Sequence, residues 1–155
     1  MEEIVKILKS KGYTISTMES CTGGGIVNAI TNIEGASDVL KFSAVTYSNE
    51  YKIKMGVSKD TIDKYSVYST EVAKEMSKCI SDFTDSTYGI GVTGKLNRID
   101  KNNLNGKDNQ VFISIYDKIN DKYFLDTIFV DKESRSNNKK IIIELIINKL
   151  LDIIK

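Results

Sequence analysis

Apolar residues along this chain repeat with two different spacings, and the switches between them mark out the elements. Ile4, Val5, Ile7 and Leu8 recur at helical intervals, which predicts a helix over Glu2–Lys11 ended by Gly12. Residues 13–18 then alternate as a strand, and Ile26, Val27 and Ile30 return to helical spacing over 23–31. Residues 32–37 read as a loop, 42–47 as a second strand, and 49–55 as a short helix closed by Gly56. Ser58 and Ser69 are placed to cap two further helices. The second of these carries Val72, Ala73, Met76, Cys79, Ile80 and Phe83 on one predicted apolar face.

Residues 88–93 form a short apolar run that stops at Gly94, followed by a polar stretch over 95–109 rich in Lys, Asn and Asp. Two alternating runs, 110–116 and 123–130, flank Asn120-Asp121 and predict a hairpin. A charged loop over 131–138 leads to a last helix with Asn138 as its expected cap. Ile141, Ile142, Leu145, Ile146 and Leu150 make this helix apolar around most of its girth, so the sheet or a second copy of the chain is expected to cover it. Interleaved helices and strands followed by a hairpin predict an α/β fold, a three-layer α/β/α sandwich with a mixed β-sheet, in one domain over residues 1–155.

Composition narrows the chemistry. The 155 residues hold no histidine, which removes Ser-His-Asp and Cys-His catalysis and the usual histidine-containing zinc sites. Acid–base work at neutral pH must then fall to Lys, Tyr, Cys or a carboxylate. Two cysteines make neither a disulfide framework nor a four-cysteine metal site, and they suit a reducing cytoplasm. The 22 basic and 21 acidic side chains nearly cancel, giving no general pull towards nucleic acid or membrane. No apolar run is long enough to cross a bilayer.

Two segments concentrate reactive groups. Glu19-Ser20-Cys21-Thr22-Gly23-Gly24-Gly25 sets a hydroxyl and a thiol where a strand gives way to a glycine turn and a helix. The N–H groups of Gly23, Gly24 and Gly25 are expected to point outward there, towards a phosphate or an oxyanion. The competing reading is an ordinary helix start capped by Ser20 or Thr22. Cys21 is either a thiolate activated by the helix N-terminus or a small buried residue. Thr46-Tyr47-Ser48-Asn49-Glu50-Tyr51-Lys52 adds a phenol and an amine. Lys52 is either a solvated cation or a partly buried base able to take a proton from a serine.

ESCTGG at 19–24, Gly35-Ala36-Ser37, YSNxxK at 47–52, Val67 with Ser69, and Gly91-Val92-Thr93-Gly94 together resemble the CinA C-terminal family, over essentially the whole chain. Enzymatic members of that family are nicotinamide mononucleotide deamidases. The resemblance implies hydrolysis of the carboxamide to nicotinic acid mononucleotide and ammonia, without metal or organic cofactor. It implies Ser20 as nucleophile, with Lys52 and Tyr47 managing its proton. Cys21, Thr22, Gly23, Gly24, Thr93, Gly94 and Arg135 would contact the substrate, Arg135 at its phosphate. It also makes a homodimer the expected assembly. A catalytically lapsed member that binds a nucleotide or phosphorylated ligand, and a protein-interaction module in competence or damage responses, are the alternative readings. The chain departs from the family after Gly94: the short Gly-x-x-Gly-Pro-x-Gly-Gly loop is replaced by bulkier, polar residues over 95–106.

Overall fold

The computed structural model describes all 155 residues. In chain order the elements are α1 (Glu2–Lys11), β1 (Ile15–Glu19), α2 (Gly25–Thr31), a 3-10 turn (Ala36–Asp38), β2 (Ala44–Val45), α3 (Asn49–Lys54), α4 (Lys59–Tyr65), α5 (Thr70–Thr84), β3 (Tyr88–Gly94), β4 (Gln110–Asp117), β5 (Lys122–Phe129) and α6 (Arg135–Ile154). The strands form one sheet in the order β2-β1-β3-β4-β5. β1 runs parallel to both β2 and β3, whereas β3–β4 and β4–β5 are antiparallel. The sheet is therefore mixed, and its parallel half puts the carboxyl ends of β1 and β3 side by side.

Each face of the sheet is covered. Ile15, Ile90, Val92, Val111, Ile113 and Ile115 meet α1, α2 and α6 in the larger core. Met18 meets Val72, Met76 and Ile80 of α5 in the smaller one. Close approach on the second side depends on two glycines of β3. A Cβ on Gly89 would lie 2.0 Å from the Ser77 carbonyl oxygen, and one on Gly91 would lie 2.3 Å from that of Ala73. α5 thus rests directly on the strand backbone, which any side chain at these positions would push away.

Local signals act as their chemistry requires. Ser48, Ser58 and Ser69 each accept a backbone N–H in the first turn of α3, α4 and α5. The β4–β5 hairpin turns through residues 118–121, with Asp121 at φ +47° and the Asp117 carboxylate accepting the N–H groups of Ile119 and Asn120. Ile142, Ile146, Leu150 and Ile154 form the buried stripe of α6 at four-residue intervals, so the larger core takes up one face of that helix.

Two expectations need correction. α6 begins at Arg135 with Ser134 as its cap, not at Asn138. Asn138 is instead a buried residue within the helix. Its side chain donates to the Lys132 and Leu96 carbonyls and accepts the Lys132 N–H, tying the loop after β3 to the loop before α6. Phe83 is not in the core: it is 66% exposed and packs against Phe42, with ring centroids 5.4 Å apart.

Candidate active site

Buried Glu19, the last residue of β1, organises the turn that follows it. Its carboxylate accepts the N–H groups of Gly24 (3.0 Å), Ile26 (3.1 Å) and Val27 (2.8 Å), together with the Thr17 hydroxyl (3.1 Å). These are the orphan donors of the α2 N-terminus, so an acidic side chain of the preceding strand fills the place open to a ligand. The Gly23 N–H bonds to the Ser20 carbonyl and the Gly25 N–H to that of Thr22. The expected phosphate or oxyanion cradle at Gly23, Gly24 and Gly25 is therefore corrected, because those amides are committed within the chain. The competing reading fails as well, since neither Ser20 nor Thr22 caps α2, whose N-cap is Gly24.

Ser20 and Lys52 are brought together. The Lys52 amine donates to Ser20 Oγ at 3.1 Å and to the Thr46 carbonyl at 2.6 Å, and the side chain is 1% exposed. The geometry follows from the parallel pair β1–β2. Thr46 N–H bonds to the Glu19 carbonyl, which sets the end of β2 beside the turn that carries Ser20. One turn of α3, capped by Ser48, then carries Lys52 back over it. Lys52 forms no ion pair, and burial lowers its pKa from 10.5 to about 8. Such an amine is partly neutral near physiological pH and lies within reach of a hydroxyl proton.

Cys21 stands next to this pair but is chemically different. Burial pushes its thiol pKa up to about 12, and the Lys52 charge only partly offsets that effect. The thiol is protonated at neutral pH, so the activated-thiolate reading is not supported.

A cleft of about 880 Å³ opens over these groups, lined among others by Ser20, Cys21, Tyr47, Lys52, Gly94 and Arg135. Tyr47 is exposed at the rim, where its hydroxyl accepts from Arg135 Nη2 at 3.1 Å. Its phenol is therefore paired with Arg135 and has no hydrogen bond to Ser20 or Lys52. Arg135, the first residue of α6, makes no ion pair and keeps its charge for the cleft. Thr22, Gly23, Gly24 and Thr93 do not line the cleft. Thr93 is buried behind it, donating to the Val67 carbonyl at 3.0 Å, and Thr22 is buried with its hydroxyl unpartnered.

Residues 95–106 close one side of the cleft through contacts the sequence did not disclose. Lys95 is buried and pairs with Asp108 at 3.0 Å, while Arg98 reaches the Glu133 carbonyl at 2.8 Å. Asp100 accepts hydrogen bonds from Tyr68, Asn102 and Asn103, and Asn103 in turn accepts from Asn49. Tyr68, Asp100 and Asn103 thus join the lining without having stood out in the sequence. The only signal was position: Tyr68 immediately precedes the Ser69 cap, and Asp100 is one carboxylate among several in a polar run.

The comparisons with known proteins agree on ancestry. A family model described as CinA C-terminal domain matches residues 1–150. The chain belongs to the CinA C-terminal domain family. A protein of Clostridium kluyveri named competence-damage inducible is 50% identical over 96 residues, covering 61% of this chain and 23% of that protein. A CinA-like protein of Flavobacterium psychrophilum is 40% identical over 111 residues, covering 71% of this chain and 26% of its own length. The chain thus spans about a quarter of the curated relatives it matches. Among solved structures, a CinA superfamily protein from Klebsiella pneumoniae superposes with a TM-score of 0.89 at 17% identity, covering 99% and 94% of the two chains. A competence/damage inducible protein from Agrobacterium tumefaciens does so with 0.85 at 24% identity, covering 99% and 95%. These likenesses establish a shared CinA fold. No helix of this chain is long and apolar enough to cross a membrane.

Proposed function

We propose that this chain is an amidohydrolase that converts nicotinamide mononucleotide to nicotinic acid mononucleotide and ammonia. The observation that carries the reading is the buried Lys52 amine, 3.1 Å from Ser20 Oγ, with its pKa lowered to about 8. In a chain without histidine this is the pair suited to make a serine nucleophilic. Neutral Lys52 takes the Ser20 proton as Oγ adds to the carboxamide carbon. The carbonyl π electrons move to oxygen, giving a tetrahedral oxyanion. When the oxyanion collapses, the C–N bond breaks and the proton on Lys52 passes to the departing nitrogen, releasing ammonia. Water then adds to the Ser20 ester with Lys52 again as base, and C–O cleavage returns the hydroxyl and frees the carboxylate product.

Donors for the oxyanion must come from elsewhere than the glycines. The N–H groups of Cys21 and Thr22 donate to no backbone carbonyl, and they follow the nucleophile directly. Arg135 at the rim supplies a charge for the phosphate of the substrate, with its guanidinium oriented by Tyr47. Incubating the purified chain with nicotinamide mononucleotide and measuring ammonia tests the proposal. Turnover lost in Ser20→Ala is the expected result, and ammonia no higher than in buffer removes the assignment.

A further inference from the structure

The cleft is lined by one carboxylate, that of Asp100, and the hydrolytic mechanism does not use it. Asp100 lines it from the loop after β3, with Oδ2 accepting from the Tyr68 hydroxyl and from Asn103 Nδ2 (3.0 Å), and Oδ1 accepting from the Asn102 N–H (2.9 Å). Asn103 is itself fixed by Asn49 Nδ2 at 3.1 Å, from the start of α3. All of these donors are neutral, and Asp100 forms no ion pair. The neighbouring cations are committed elsewhere, Lys95 to Asp108 and Arg98 to Glu133. Burial would raise the Asp100 pKa, but the bonds from Tyr68, Asn103 and Asn102, with a smaller contribution from the Lys95 charge, outweigh it and hold the carboxyl below its ordinary value. Asp100 also acts on the reactive pair, since its charge favours protonated Lys52.

An ordered, ionised carboxylate that no cation of the chain pairs with directly is an arrangement built to meet a cation from outside. Arg135 at the rim supplies the opposite sign. The cleft therefore carries separated charges that match a molecule with a positive ring and an anionic tail. We infer that Asp100 is a specificity-determining residue, placed to face the positive charge of the substrate ring, so that the site selects a carboxamide on a cationic ring over the same carboxamide on a neutral one. This inference rests on the amidohydrolase reading for the placement of the substrate, and it refines the class of molecule accepted. Asp100, Asn102 and Asn103 lie in the segment where the chain departs from the family loop.

The test is a binding comparison in the Ser20→Ala protein, which separates recognition from turnover. The probes are nicotinamide mononucleotide and its 1,4-dihydro form, which keeps the carboxamide, ribose and phosphate but has a neutral ring. Calorimetry should give an affinity about 10-fold or more in favour of the cationic ring, as expected for a charge pair in a partly desolvated cleft. Adding Asp100→Asn should bring that ratio to about one with affinity for the dihydro form unchanged, whereas Asp100→Glu should keep most of it. Unchanged dihydro binding also shows that the variant is folded. Equal affinities before Asp100 is altered, a ratio that survives Asp100→Asn, or equal weakening of both ligands each overturns the inference. The last of these would leave Asp100 as a loop-ordering residue. Turnover by the unaltered chain without a ring-charge preference removes this inference alone, and a preference without turnover removes the deamidase reading alone. If neither molecule binds, both fall.

Discussion

The two walls of the cleft are built on opposite principles. The wall that carries Ser20 is made from the ends of β1 and β2 and the first turn of α3, and the charged groups beside Ser20 are buried and hydrogen-bonded within the chain. Glu19 is fully covered with four donors, and Lys52 is held by Thr46 and Ser20. The opposite wall is a loop whose Ile99 and Leu104 are 70% and 72% exposed, and whose order comes from side-chain bonds around Asp100. In the proposed reaction Ser20 and Lys52 must hold their separation to within tenths of an ångström, and they stand after the end of β1 and in the first turn of α3, where packing fixes them. Contacts that choose among substrates tolerate replacement, and here they lie where changing a side chain leaves the core intact. The difference teaches that, under the proposed reaction, chemistry and selectivity rest on different walls, joined by the charge of Asp100 acting on Lys52.

That separation is best challenged by substitutions that strike one wall and not the other. Ser20→Ala should have the largest effect, lowering kcat for ammonia release by about 1,000-fold or more with the fold unchanged by circular dichroism. Lys52→Met should lower kcat by about 100- to 10,000-fold, measured in the same assay.

The lysine variant carries a second signature. The folded pKa of Lys52 lies below its ordinary value, so the unfolded chain binds more protons between pH 8 and 10.5, and stability rises with pH across that window. Below pH 8 the penalty for the buried cation is fully present. At pH 7 Lys52→Met should therefore be as stable as the parent or more so, by about 1–2 kcal/mol after loss of its hydrogen bonds. The gain should shrink above pH 8, as denaturant midpoints at several pH values would reveal. Marked destabilisation at pH 7 would show that the amine is held for structure.

Glu19→Ala tests the scaffold of the same wall. It strips three α2 N–H groups of their acceptor in a buried setting and should cost about 3–5 kcal/mol in chemical unfolding. Arg135→Ala acts from the rim and should raise KM for the nucleotide about 10- to 100-fold with little change in kcat. Cys21→Ala should be the mildest, with activity within about threefold of the parent, because a protonated buried thiol contributes packing alone.

Much of this arrangement was legible in the sequence because it is local. The strand–turn–helix at 15–31, the serine caps at 58 and 69, and the hairpin near 120 each depend on residues a few positions apart. The pairing of Ser20 with Lys52 was accessible through family resemblance, since their meeting depends on the parallel pairing of β1 with β2. What escaped was set by contacts between distant segments. Glu19 preceded the glycine turn in plain view, yet its strand position concealed that its carboxylate would fold back onto α2. Asn138 and Ser134 are both good caps by residue type, and only the contacts of Asn138 with Lys132 and Leu96 decide between them. Asp100 gains its meaning from Tyr68 and, through Asn103, from Asn49, residues tens of positions away. Phe83 followed the helical repeat of α5 past the covered part of that face, where periodicity continues but burial does not.

The claim that Ser20 is activated by the buried amine of Lys52 is tested most directly by the pH dependence of kcat/KM for nicotinamide mononucleotide. The rate should climb with pH through about 8, following the loss of the Lys52 proton, and then level off. A profile flat from pH 6 to 10, or a rise of the same shape and size in Lys52→Met, would contradict it.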